Sequence, residues 1–217
     1  PNYDDLYADV LEWVRQGWVD YNTPQIYWQI GHPTADYESL LRWWSENAGG
    51  RHLYIGQDVE RTVKYNDLKN ANEHQMRAKY DLQRQLPGVD GSCQWYAKAV
   101  VDNTGNYATM LKEEYHKYPA LAPLMPWIDN NAPKKVRKPA IIATKDPKAK
   151  APMDQAAWYA IYRFRKGEKQ NLDDATKLVH VTRNTFYNLP EDALGHVYVI
   201  TALDHMQNES KGVKVKL

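Results

Sequence analysis

The stretch Gly17-Trp18-Val19-Asp20-Tyr21-Asn22-Thr23-Pro24-Gln25-Ile26-Tyr27-Trp28-Gln29-Ile30-Gly31-His32 decides how the rest of the chain is read. Val19, Tyr21, Ile26 and Tyr27 favour an extended backbone. Pro24 has no amide hydrogen for a sheet ladder, so the strand is expected to bend or break there. Tyr27, Trp28, Gln29 and His32 place two aromatic rings, an amide and an imidazole within six residues. Gly31 and Pro33 close the strand ahead of a helix. A polar and aromatic cluster at the C-terminal end of a strand that feeds a helix is where barrels of alternating strands and helices gather their functional groups.

On the N-terminal side, Leu6, Val10, Trp13 and Val14 form one apolar stripe, which predicts a helix over Tyr3 to Gln16 with Asn2 as its cap. On the C-terminal side, Tyr37, Leu40, Leu41 and Trp44 predict a second helix to Asn47, stopped by Gly49-Gly50. Arg51 to Gly56 reads as a short strand that ends in Gln57 and Asp58, and Val59 to Asp67 as a loop. Lys69 to Leu86 reads as a polar helix with a sparse stripe of Ala71, Gln75, Ala78, Leu82 and Leu86. Gly91 to Val100 reads as a third strand and Asn106 to Tyr118 as a helix. The apolar tail Pro119 to Trp127 is expected to pack against that helix. Strands separated by helices of this length imply parallel pairing. A closed barrel needs about eight such units. Three strands fit either a small open sheet or the last part of a barrel whose other strands lie upstream of Pro1.

Asn130 to Lys138 changes character to Asn-Asn-Ala-Pro-Lys-Lys-Val-Arg-Lys and reads as a linker. From Pro139 the period becomes two. Strands are expected at Ala140–Thr144, Trp158–Arg165, Leu178–Thr182, Thr185–Tyr187, His196–Asp204 and Gly212–Leu217, as in a β-sandwich. The domain plan is therefore 1–128, a linker over 129–138, and 139–217. The fold class is α/β plus all-β.

Composition narrows the function classes. Of 217 residues, 43% are hydrophobic, enough to fill a core. The 28 basic and 27 acidic residues nearly cancel, so no global field draws the chain to nucleic acid or a membrane surface. The aromatics are 8 Trp and 16 Tyr against 2 Phe. Rings with a polar handle suit half-wet surfaces such as sugar clefts, and a Tyr-rich core accounts for the same composition. Cys93 is the lone cysteine, so there is no internal disulfide, and its apolar strand predicts a packed thiol. No membrane-spanning run or signal peptide is present. The chain opens at Pro1, inside a motif and without Met, so the natural protein is expected to extend upstream.

Several separate motifs carry a resemblance. Tyr7-Ala8-Asp9, Gly17-Trp18-Val19-Asp20-Tyr21, Pro24 to His32, Asp36-Tyr37, Trp43-Trp44, Leu53-Tyr54-Ile55-Gly56-Gln57, Gly91-Ser92 and Pro119-Ala120-Leu121 together resemble the bacterial glycosyl hydrolase-like family ten over about residues 3–128. The resemblance implies a partial (β/α)8 barrel, its last three strands and helices, followed by a fibronectin type III-like sandwich. Tyr159 to Phe164 and Tyr198 to Asp204 are similar to strands of such a sandwich. It further implies a glycoside hydrolase of a secreted, periplasmic or outer-membrane lipoprotein, acting on a polysaccharide or cell-wall glycan. Its catalytic acids are then expected upstream of Pro1. Relatives often carry Glu where this chain has Gln29, which takes a negative charge out of the cleft.

Glycoside hydrolysis usually needs two carboxyl groups roughly 5–9.5 Å apart. Near the strand ends this chain offers Asp58 and, further on, Glu60. Asp58 is the candidate acid, and capping a loop is the competing reading. Tyr27, Trp28, Trp95 and Tyr96 are candidate stacking platforms, only one of each adjacent pair facing the cleft. Gln25, Gln29, Gln57, Lys98 and His32 are candidate hydroxyl binders, and each has an ordinary structural reading beside it. The seven histidines lack ligand spacing, no phosphate loop is present, and no metal or other cofactor is expected. A non-catalytic carbohydrate-binding or envelope scaffold protein is the rival reading. Three barrel strands alone would leave open sheet edges, so either a dimer through those edges or a longer parent chain that covers them is expected.

Overall fold

The computed structural model describes residues 2–137, 139 and 156–215. They fall into two compact units, Pro1–Lys117 and Tyr118–Leu217.

In the first unit the expected single helix at the start is two. Helix α1 spans Asn2–Leu6, Tyr7 takes a left-handed φ of 52°, and α2 spans Val10–Arg15. Asp9 accounts for the restart, because its side chain accepts the Glu12 amide at 2.9 Å and so begins a new helix. Strand β1 is short, Tyr21–Asn22. Pro24 ends it, and beyond it the extended stretch keeps one parallel bridge, Gln25 to Gly56. The strand expected to run on through Tyr27 and Ile30 leaves the sheet. The Gln75 amide accounts for this, as it takes both Ile30 backbone groups, N at 2.8 Å and O at 3.2 Å.

Helix α3, Tyr37–Glu46, starts where Asp36 accepts the Ser39 amide at 2.8 Å. Strand β2, His52–Asp58, pairs in parallel with β1 and with β3, Gly91–Trp95, giving the sheet order β1-β2-β3. Val59 to Lys64, expected as a loop, is helix α4. Asp58 makes it so by capping the Arg61 amide at 2.9 Å, and Val59 and Thr62 bury one face. Helix α5 is Met76–Gln85, shorter than expected, since Asp67 accepts the Lys69 and Asn70 amides and ties the preceding residues into turns. The third strand stops at Trp95, where the peptide to Tyr96 is cis, and α6 follows at Ala97–Val101. The last helix of the unit is α7, Tyr107–Met110, running on as a π turn at Leu111–Tyr115.

The core of this unit lies between the sheet and the helices. Leu53 and Ile55 of β2 meet Ile26, Tyr37 and Leu41, all essentially inaccessible to water. A second cluster joins Val59, Met76, Tyr80, Ala99 and Tyr107. Cys93, expected to be packed, is exposed on the opposite face of β3.

The second unit holds a four-stranded antiparallel sheet among its described residues, in the order β5-β4-β6-β7. These strands are β4 Trp158–Arg165, β5 Leu178–Thr182, β6 His196–Leu203 and β7 Val213–Val215. Tyr162, Phe164, Val199 and Leu203 pack on one side, and Ile161, Ala193 and Tyr198 on the other. The strand expected at Ala140–Thr144 lies outside the described residues. Thr185 to Tyr187 is not a strand; Tyr187 instead sets its ring between His180 and Tyr198. The apolar tail after Tyr118 belongs to this unit, contrary to the expectation that it packs on the preceding helix. Leu121 joins the sheet core, and the Met125 amide donates to the Met206 carbonyl at 3.2 Å.

Gly56 marks the tightest approach in the parallel sheet. A Cβ there would lie 3.0 Å from the Pro24 carbonyl oxygen and 3.1 Å from the Gln25 Cα. Gly56→Val is expected to push residues 24 and 25 off β2 and to cost about 1–3 kcal/mol, as overpacking does, read as a lower urea midpoint.

Candidate functional site

The register of the parallel strands sorts the side chains onto two faces. Tyr54 pairs with Gly91, Gly56 with Cys93 and Asp58 with Trp95, so these residues share one face. Tyr21, paired with His52, joins them and meets the Tyr54 ring edge-on at 5.8 Å. Residues of the other parity, Leu53, Ile55, Gln57, Ser92 and Gln94, turn to the helices. At the C-terminal ends of β2 and β3, Asp58 and Trp95 therefore stand side by side. Trp95 is 57% exposed. Tyr27 reaches this place from the chain beyond β1. Burial, then the nearby Asp58 carboxylate and Cys93 sulfur, push its phenol above the usual range.

Asp58 is bound from above by α4. Oδ1 accepts the Arg61 amide, and Oδ2 lies 3.4 Å from the Arg61 guanidinium. The capping reading of Asp58 is the one the structure shows, the element capped being a helix; its side chain keeps 14% of its surface exposed, at the end of the face it shares with Trp95. Glu60 accepts the Tyr96 hydroxyl at 3.1 Å, and that bond raises the Tyr96 phenol. The adjacent Trp95 and Tyr96 rings stay 6.1 Å apart, Tyr96 lying beyond the end of β3. Trp95 faces out, while Tyr96 packs against the second core cluster.

The other expected residues divide. Gln57 is fully buried on the helix side and donates to the Tyr37 hydroxyl at 2.6 Å, so it does not reach the cleft. Gln25 is exposed, at the bridge to Gly56. Gln29 is half-buried, and its carbonyl accepts the His32 and Tyr37 amides, both at 3.3 Å. His32 Nδ1 accepts the Ala35 amide at 3.1 Å, which leaves Nε2 as the ring's donor, and the ring sits beside Trp28. Lys98 is engaged with Asp102 one turn along α6, on the exposed surface.

Beneath the site lies a polar stripe of which the sequence spacing singles out only Gln75, as a member of the sparse stripe, and not Lys79 or Gln83. Gln75, Lys79 and Gln83 fall at i, i+4 and i+8 around α5, and all three are buried. Gln75 holds Ile30 and the Asn66 carbonyl. Gln83 donates to Tyr37 Oη at 2.9 Å, alongside Gln57. Lys79 is 1% exposed; its Nζ lies 3.2 Å from Thr62 Oγ1 and 4.5 Å above the Tyr37 ring. Burial pushes the Lys79 amine down to about 7, against a raising influence of Asp58. A signal was available: three polar residues at helical spacing, on a helix whose apolar stripe is sparse. Next to them Tyr80 bonds Ser92 and Gln94, tying β3 to the same helix.

Among the described residues no group of three or more His, Cys, Asp or Glu side chains is gathered as a metal site. No helix there is long and apolar enough to cross a membrane.

Comparison with known proteins agrees with the expected resemblance. Residues 1–74 match the family described as Glycosyl hydrolase-like 10. The chain is 36% identical over 223 aligned positions to glycosyl hydrolase YngK of Bacillus subtilis (strain 168), an alignment that takes in 98% of this chain and 44% of that protein. It is 31% identical over 97 positions to glycosyl hydrolase DigH of Escherichia coli (strain K12), covering 42% of this chain and 22% of that protein. The chain thus spans less than half the length of these curated relatives.

The buried amine has a thermodynamic signature. Its value in the fold, about 7, lies below the ordinary 10.5, so between those limits the unfolded chain binds the extra proton. Stability must then rise with pH across that window and be lowest below it, by up to about 1.4 kcal/mol per pH unit. Lys79→Met is expected to remove this slope and to stabilise the first unit most in mild acid, as seen by comparing urea unfolding of the two proteins near pH 6 and near pH 9.

Proposed function

We propose, from the premise that this chain belongs to glycosyl hydrolase-like family 10 through its residues 1–74, that it forms the sugar-binding end of a glycoside hydrolase acting on a polysaccharide or cell-wall glycan. The observation that carries the reading is the pairing of Trp95 with Asp58 at the C-terminal ends of adjacent parallel strands. An exposed indole offers a flat apolar surface for the face of a sugar ring, and a neighbouring carboxylate accepts its hydroxyls. Tyr27 and the Nε2–H of His32 add a hydroxyl and a donor nearby in the chain. Three parallel strands with intervening helices, in sequential order, support their assignment as the last part of a (β/α)8 barrel. The antiparallel sheet of the second unit supports a fibronectin type III-like module. A secreted or envelope location goes with this reading.

The catalytic acid pair is assigned to parts of the protein outside these 217 residues. Hydrolysis needs one carboxyl group free to protonate the leaving oxygen and one to attack or to activate water. On this face Asp58 is held by Arg61 and Glu60 by Tyr96. The second reading, a non-catalytic carbohydrate-binding protein, is favoured by Gln29, an amide where a carboxylate would add charge.

Titrating the chain with soluble polysaccharides and with cell-wall glycan strands, while following tryptophan fluorescence, tests the assignment. Binding is expected for one of these classes, with Trp95→Ala weakening it at least tenfold, about 1.4 kcal/mol. No new reducing ends are expected from the chain alone. Binding indifferent to Trp95, or glycan cleavage by these residues by themselves, would overturn it.

A further inference from the structure

Helix α5 presents to the interior a stripe that is polar rather than apolar, and each member touches a different part of the cleft's support. Gln75 fixes Ile30 in the segment after β1. Gln83 reaches Tyr37, which Gln57 of β2 also bonds. Lys79 reaches Thr62, which lies on the buried face of α4, one turn past the Asp58 cap. A lysine in such a place is costly, since its charge loses water and has no carboxylate in direct contact among the described ion pairs. A methionine would fill the same volume without that cost. The amine must therefore contribute something that a hydrocarbon side chain does not.

We propose that Lys79 is a positioning residue for Asp58, holding the N-terminal turn of α4 through Thr62 and placing a cation behind the carboxylate that faces the sugar. The geometry gives it two routes. One is mechanical: Nζ to Thr62 Oγ1, then along one turn of α4 to the Arg61 amide that Asp58 accepts. The other is electrostatic, from the helix side of the sheet to the open side. Asp58 is the carboxylate that acts on the Lys79 amine. Lys79 itself meets the Tyr37 ring from α3 and Thr62 from α4. The Tyr37 hydroxyl is bonded by Gln57 from β2 and by Gln83 from the same helix as Lys79, and Arg61, next to Thr62, is the nearest cation in the chain on α4. The Tyr80 and Tyr107 phenols lie behind Tyr37 and act on one another. Because burial brings the Lys79 amine near neutrality, its charge changes in a range where proteins work, and the hold on Asp58 changes with it.

The inference deepens the proposed sugar site and rests on it only for the use to which Asp58 is put. The coupling itself is readable without any glycan. In a pH series of amide NMR spectra of the whole chain, the Arg61 amide reports the Asp58 cap. It is expected to shift with an inflection near neutrality, and that inflection is expected to vanish in Lys79→Met, which leaves His32, His52 and His74 in place. If the methionine variant does not fold, Lys79→Gln serves in the same comparison. The coupling must also be reciprocal. Asp58→Asn keeps a side chain able to cap α4, yet removes the charge, and should lower the pH at which the Lys79 Cε signal titrates. In the glycan titration, wild-type affinity is expected to weaken several-fold as Lys79 loses its proton, and that pH dependence is expected to be absent from Asp58→Asn. An Arg61 amide that titrates alike in wild type and Lys79 variants, or a Lys79 midpoint indifferent to Asp58→Asn, overturns the proposal. Failure of glycan binding with the NMR coupling intact would instead count against the sugar site.

Discussion

The first unit depends on satisfying polar groups in a place where water cannot reach them. The inward stripe of α5, Gln75, Lys79 and Gln83, sits among buried residues, where an unpaired amide or ammonium is expensive. The stripe can be buried only if each group finds its particular partner, and those partners are Ile30, Thr62 and Tyr37. Such a set admits one arrangement of helix and loops. A greasy stripe would bury as well in several registers, while this one does not, so the same constraint that makes α5 costly makes the support beneath the strand ends definite.

The open face follows from that support. With Leu53, Ile55 and Gln57 committed to the helices, the alternation of β2 sends Tyr54, Gly56 and Asp58 the other way, and the register brings Gly91, Cys93 and Trp95 beside them. The middle of the face carries almost no side chain. Its ends carry the tyrosine pair Tyr21 and Tyr54 on one side and the indole and carboxylate on the other. Local helix chemistry adds the final touch, because a capping requirement fixes where Asp58 points.

Much of this was open to a reading of the sequence, and the misses have physical reasons. The alternation of strands and helices came from apolar spacing at Leu53 and Ile55 and at Tyr37 and Leu41, and β4, β5 and β6 came from period two. Gln57 shares the side of Leu53 and Ile55, so the parity of β2 already places it with the helices and away from the open face. Helix α4 carries its own start signal in Asp58, a residue that reads in the sequence as a candidate acid or the cap of a loop and not as a helix N-cap. Other features lay beyond local reading. The departure of Tyr27 to Gly31 from the sheet is caused by Gln75, 45 residues downstream of Ile30. The burial of Lys79 depends on α3 and α4 closing over it, and no composition rule announces a buried lysine.

The segment from Tyr118 onward has a practical bearing on taking the chain apart. Leu121 fills the core of the antiparallel sheet, Met125 is bonded to Met206, and Asn208 reaches back to the Asp129 carbonyl. Cleaving the polypeptide after residue 128 would strip the later half of a plug it needs and saddle the earlier half with sticky, orphaned hydrocarbon. Separation between Lys117 and Tyr118 leaves each half with its own filling, so the natural seam lies about ten residues ahead of the basic run that looks like a hinge on paper.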